Sequence, residues 1–61
     1  MQKRYAKELH NRDQVEVRVA PGTWVIGYIE GNVAEISGEI FANVQTAEYG
    51  RLPMVRHTDL R

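Results

Sequence analysis

The residues best suited to ligand chemistry in this chain are four aromatic side chains in its middle: Trp24, Tyr28, Phe41 and Tyr49. Aromatic faces attract cations and flat apolar ligands, so the four rings could form a cage or groove for a partner. The same rings could instead fill a small core, since each buries more area than an aliphatic side chain. Both alternatives stay open. We take the four as candidate partner-binding residues, with Tyr5 and Leu9 as a second contact surface.

The side chains that usually perform catalysis are few and scattered. Histidine occurs only at His10 and His57, and no spacing joins them to further ligands, so no metal site is predicted. Ser37 is the single serine and lies in no nucleophile motif with a paired base. The acidic residues near the middle fall around predicted turns, where the burial that a general-acid pair needs is seldom found. We predict a non-catalytic protein without a cofactor or a small-molecule substrate.

Length and composition narrow the class further. Cysteine is absent, which excludes disulfides and thiolate chemistry. A chain of 61 residues is near the lower limit for unaided folding, so self-association would be one source of added stability. Since no apolar run has the length of a signal peptide or a membrane span, we predict a cytoplasmic protein with no membrane partner.

The formal charge is zero, but it is unevenly distributed. Residues 1–18 and 51–61 have more Lys and Arg than Asp and Glu, whereas residues 19–50 contain only acidic charges. The basic ends suggest an alternative function, in which they contact nucleic-acid phosphates while Tyr5 or Tyr49 stacks on a base. Zero net charge weighs against it, because non-specific affinity grows with the phosphates neutralised. The residues of this alternative are Lys3, Arg4, Lys7, Arg18, Arg51, Arg56 and Arg61.

The elements that must position these side chains are predicted as short strands. Residues 23–30 hold the only Trp and form the predicted central strand, which is apolar on both faces and therefore needs cover on two sides. Residues 14–19 alternate valine with polar residues, which is typical of a half-buried strand. Further strands are predicted at 33–36, 39–46 and 51–55, with turns at Pro21-Gly22, Gly31-Asn32, Ser37-Gly38 and Glu48-Tyr49-Gly50.

Single residues and the two chain ends refine this pattern. Gly27 interrupts the central strand and predicts a sharp bend or a close approach of another chain. Pro53 cannot donate to a strand ladder, which predicts an edge or a bulge. The tail 56–61 predicts one helical turn that returns Leu60 to the core. Residues 1–12 predict a short basic helical or flexible segment with a narrow apolar stripe.

This arrangement resembles the SH3-like small barrels, in their Tudor-like and related bacterial versions. The matching residues are Asp13-x-Val15-x-Val17, Trp24-x-x-Gly27-x-Ile29, Val44, Val55 and Leu60-Arg61. The resemblance covers residues 13–61 and implies an all-β fold, a small five-stranded barrel that follows the N-terminal segment 1–12. Members of this family bind peptides, modified side chains or nucleic acids, or stabilise enzymes as subunits. The function that it implies is a self-associating or accessory module that binds another protein.

One branch of the family implies an enzyme. The plasmid-encoded dihydrofolate reductases are similar in size and in the Trp24-x-x-Gly27-x-Ile29 step, and their tetramer lines a shared pore with a Val-Gln-Ile-Tyr stretch. This chain has Val44-Gln45-Thr46-Ala47 instead, and places it before the last strand. The missing aromatic and apolar members argue against an oligomeric-pore enzyme.

Overall fold

The computed structural model describes residues 9–61, which form one sheet of four antiparallel strands in chain order. The strands are β1 (Gln14–Ala20), β2 (Thr23–Ile36), β3 (Glu39–Thr46) and β4 (Gly50–Arg56), and a 3₁₀ helix (His57–Asp59) follows. The all-β prediction is confirmed for these residues. The predicted N-terminal helical segment lies mostly outside them, and its described part, residues 9–12, contains no helix.

The prediction of five strands is wrong, because residues 23–30 and 33–36 belong to the single strand β2. Gly31-Asn32 forms no hairpin turn. Instead the register between β2 and β3 shifts between Glu30 and Ala34, where Gly31 has a φ of +78°. β3 is long enough to pair with both halves of β2, at Ile29↔Val44 on one side of the irregularity and Glu35↔Ile40 on the other. An irregularity of this kind bends a strand, so the turn signal produces curvature rather than a reversal.

The sheet is open, not a closed barrel, and β1 and β4 are its two edges. The chain end returns to β1, where Leu60 forms a β-bridge with Val17. Glu16 and Arg61 exchange two backbone hydrogen bonds of 2.8 and 3.0 Å. The helical turn predicted for the tail is present as the 3₁₀ helix, and Leu60 packs against the core as predicted. Two closing residues are too few to make a fifth strand.

One face of the sheet forms the core, which consists of Leu9, Val15, Val17, Ile29, Ala42 and Val44. Gly27 lies on this face, and a Cβ placed there would lie 2.5 Å from Val44 Cγ1 and 3.0 Å from the Gln45 carbonyl oxygen. The close approach predicted at Gly27 is therefore made by β3 of the same chain. Leu9, only 5% exposed, contributes to this core and not to a surface.

Several local predictions are confirmed. Ser37 and Gly38 form the β2–β3 turn with φ values of +52° and +80°. Pro53 lies in the edge strand β4, next to a register shift between Ala42 and Val44 of β3. Throughout residues 9–61, no helix has the length and apolar character needed to cross a bilayer.

Candidate functional site: an apolar strip on the outer face of β2

The face of β2 opposite the core carries three large apolar side chains, Trp24, Ile26 and Tyr28, which we call the outer strip. They share this face because strand side chains alternate, and Val25, Gly27 and Ile29 point to the core face. Ile26 is 54% exposed and Tyr28 is 50% exposed, while Trp24 is half-buried. The central strand is thus apolar on both faces as predicted, and within residues 9–61 the core covers only one of them.

Charged residues of β1 and of the chain end cover the Trp24 end of the outer strip. The guanidinium carbon of Arg61 lies 4.0 Å from the centroid of the Trp24 ring, and that of Arg18 lies 5.9 Å from it. Arg61 Nε also donates to Glu16 Oε1 at 3.2 Å, and Arg18 Nε donates to Asp59 Oδ1 at 3.0 Å. Each arginine therefore contacts both a carboxylate and the indole. The accessible part of the strip is Ile26 and Tyr28.

A shallow groove begins at the other end of the strip. It has a volume of about 480 Å³, and its lining includes Tyr28, Arg12, Asn11 and Glu30. The Asn11 side-chain oxygen accepts a hydrogen bond of 2.9 Å from the Gly31 N–H, which attaches the turn before β1 to the irregularity in β2. The groove gives the apolar strip a polar border, as protein-binding surfaces usually have.

The four aromatic residues proposed from the sequence do not converge into one cage. Trp24 and Tyr28 share the outer face of β2. Phe41 is half-buried in β3, where it pairs with Ala34 and Arg56. Tyr49 is 53% exposed in the turn before β4. Tyr5 lies outside the described residues. Sequence reasoning left Ile26 out of the site, although its position between Trp24 and Tyr28 in an alternating strand was a sufficient signal.

Each described arginine of the nucleic-acid alternative contacts a carboxylate. Besides the pairs of Arg18 and Arg61, Arg51 Nε lies 2.9 Å from Glu30 Oε1, and Arg56 Nε lies 3.6 Å from Glu39 Oε2. Lys3, Arg4 and Lys7 lie outside the described residues. Each of these arginines therefore has an acidic neighbour, and nucleic-acid binding stays a prediction.

The two histidines lie in different parts of the structure. Residues 9–61 contain no group of three metal-ligating side chains. The His10 backbone N–H donates to Asp13 Oδ2 at 2.9 Å, in the segment before β1. His57 is the first residue of the 3₁₀ helix that follows β4. The absence of enzymatic activity and the pore-enzyme alternative both stay predictions.

Comparison of the chain with known protein families, curated proteins and solved structures finds no match. The class defined by the fold and the site is a small antiparallel β-sheet domain with an uncovered apolar strip on its outer face.

Proposed function

We propose that this chain is a small SH3-like domain that acts as a non-catalytic protein-interaction module and that a second copy of the chain is its partner. The observation that carries this proposal is the outer strip, where Ile26 and Tyr28 are each half exposed beside Trp24. Single exposed apolar residues are ordinary on a protein surface. A contiguous set on one strand is a patch, and such patches mark interaction sites.

The order of elements supports the SH3-like assignment. Four strands follow one another as neighbours, a 3₁₀ helix comes after the fourth, and the chain end then returns to β1. This is the closing arrangement that the resemblance of Val55 and Leu60-Arg61 to the family implies. The departure is the length of the closing segment, which pairs with β1 only around Glu16 and Val17.

The charges around the outer strip favour a second copy over a strongly charged partner. Arg18 and Arg61 are compensated by Asp59 and Glu16, so the border of the strip is close to neutral. A two-fold symmetric contact places the same patch on both sides, and a neutral apolar patch meets its own image without charge repulsion. A domain with so small a core also gains stability by covering the second apolar face of β2.

Sedimentation equilibrium across a range of micromolar concentrations tests this proposal. The wild-type chain, 7.0 kDa, is expected to show a concentration-dependent mass that approaches a dimer. The double substitution Ile26→Thr and Tyr28→Thr keeps residues that favour strands but removes the accessible apolar part of the outer strip. It should raise the dissociation constant of the dimer at least about tenfold, which corresponds to a loss of about 1.4 kcal/mol.

Ile36→Thr is the matched control. Ile36 is 48% exposed, close to Ile26, but it lies at the other end of β2 beside the β2–β3 turn. This variant should dimerise like the wild type. A wild-type chain that stays monomeric across the range, or an Ile36→Thr variant that loses as much affinity as the double variant, would contradict the proposal.

A further inference from the structure

A second groove, which we call the edge groove, lies where the two edge strands face each other without pairing. Its volume is about 600 Å³, and its apolar lining comes from Val19 of β1 and from Leu52, Pro53 and Met54 of β4. The lining also includes Tyr49, which directly precedes β4, and Arg56, the last residue of β4. An aromatic ring and a cation therefore lie at opposite ends of this strand. None of the three residues of the outer strip lines this groove, and Arg18 lies at the border of both surfaces.

The backbone of β4 is poorly suited to bind an added strand in this groove. Pro53 has no N–H, and the Met54 N–H donates to the Asn43 side-chain oxygen at 3.0 Å. Because two successive positions offer no free donor, β4 does not template an extra strand. Any occupant of the groove must be held mainly by side chains.

The local geometry of β4 presents one of those side chains. Met54 has a φ of +54°, which is uncommon for a residue other than glycine, and the hydrogen bond that its N–H donates to Asn43 Oδ1 holds it there. Its side chain is 51% exposed at the groove. Methionine is flexible and polarisable, and it adapts to differently shaped apolar partners. The irregularity in the β3–β4 pairing, whose extra residue is in β4, therefore coincides with an adaptable apolar side chain in the lining of the groove.

The lining of the edge groove has one cation more than it has anions, and the additional cation, Arg56, pairs with a carboxylate outside the lining. Two arginines, Arg18 and Arg56, and one acid, Asp59, line it. Arg18 and Asp59 neutralise each other through a close ion pair. Within residues 9–61, Arg56 Nε lies 3.6 Å from Glu39 Oε2 of β3, and the side chains of this pair are 62% and 51% exposed. Such exposed pairs contribute little, so a carboxylate arriving in the groove can recruit Arg56.

We propose that the edge groove binds an extended peptide whose apolar side chains pack on Val19, Leu52 and Met54 and whose carboxylate meets Arg56. The carboxylate belongs to an Asp or Glu side chain of the peptide. This site is independent of the outer strip, so the two proposals can fail separately.

Selection from a phage-displayed library of random dodecapeptides on the immobilised full chain tests the site. The peptides enriched should combine apolar residues with Asp or Glu, and their affinity should fall at high salt. In NMR spectra of the backbone amides, a selected peptide should change the chemical shifts of Val19, Met54 and Arg56. The chemical shifts of Ile26 and Tyr28 should stay the same. No enrichment over blank resin, enrichment of peptides without carboxylates, or shifts confined to the outer strip would overturn the proposal.

Substitutions in β4 sharpen the test. Arg56→Gln removes the charge-assisted contact and should weaken a selected peptide about fivefold, and Arg56→Lys should restore part of the affinity. Arg51→Gln is the matched control, because Arg51 lies in the same strand but pairs with Glu30 outside the groove. It should change the affinity by less than about twofold. If Arg51→Gln and Arg56→Gln weaken peptide binding equally, Arg56 does not bind the carboxylate of the peptide, and the proposal is wrong on this point.

Discussion

The guanidinium carbon of Arg61 lies 4.0 Å from the centroid of the Trp24 ring, although the two residues are far apart in sequence. The same side chain bonds Glu16 Oε1, and the backbone of Arg61 exchanges two hydrogen bonds with Glu16. The end of the chain is thus attached to β1 and β2 at once. This attachment holds Leu60 and Arg61 against the free edge of β1, although the sheet itself stays open.

Arg61→Ala should lower the free energy of unfolding by about 1 kcal/mol, because it removes a cation–π contact and an ion pair that share one guanidinium. In a domain of this size that corresponds to a melting temperature lower by about 4–8 °C. Tryptophan emission should also shift to longer wavelength as the ring loses its cover. Arg51→Ala is the control, because it removes an exposed ion pair with Glu30 and no ring contact. It should lower the free energy of unfolding by less than half as much as Arg61→Ala. Equal effects of the two substitutions would contradict a special role for the Trp24 contact.

Gly27→Ala should destabilise the fold by about 1–3 kcal/mol, the usual cost of overpacking. The added methyl carbon would lie 2.5 Å from Val44 Cγ1 and 3.0 Å from a backbone oxygen that cannot move without breaking the β2–β3 pairing. Urea denaturation measures the change. Gly31→Ala is the comparison, because its Cβ would meet nothing within 4 Å and only its φ of +78° is strained. If Gly27→Ala leaves the free energy of unfolding unchanged, the close approach of β3 does not explain the glycine at position 27.

Thr46→Val should cost about 1–3 kcal/mol, although it conserves volume. The Thr46 hydroxyl, in a side chain only 4% exposed, donates to the Gly50 carbonyl and accepts from the Tyr49 N–H, both at 2.9 Å. Valine would leave both backbone groups without this partner, and hydrogen exchange of the Tyr49 amide should accelerate. Thr46→Ser keeps the hydroxyl and should lose only about 1 kcal/mol for the missing methyl. Unchanged exchange at Tyr49 in the valine variant would argue against this account.

Ser37→Asn should stabilise the protein by about 0.5 kcal/mol. Ser37 and Gly38 both have positive φ, the geometry of a type I′ hairpin turn, and Asn-Gly is the favoured pair for that turn. Thermal unfolding should show a melting temperature higher by a few degrees. Ser37→Val, which is β-branched and disfavours positive φ, should lower it. A lower melting temperature for the asparagine variant would show that Ser37 makes a contribution beyond its backbone conformation.

Local features of this chain are predictable because they depend on neighbouring residues. The valines of β1, the Ser37-Gly38 turn, the edge position of Pro53 and the turn that returns Leu60 to the core all follow from alternation or from the conformational preferences of one or two residues. The aromatic residues of the site were also identified in this way. Their separation onto β2, β3 and the β3–β4 turn was not, because it depends on where each strand lies in the sheet.

The sequence by itself determined that residues 13–61 are all-β and that their central strand is apolar on both faces. The tertiary structure alone decided that Gly31-Asn32 bends β2 instead of forming a hairpin turn. A glycine with positive φ is compatible with a bend and with a turn, and only the pairing of β3 with β2 on both sides of Gly31 shows that the strand continues. The tertiary structure also decided which face of β2 is buried, because only Gly27 lets that face approach Val44 closely. The opposite face, with Ile26 and Tyr28, is exposed for that reason. Contacts between residues distant in sequence, such as Arg18 with Asp59, arise from the same packing and have no local signal in the chain.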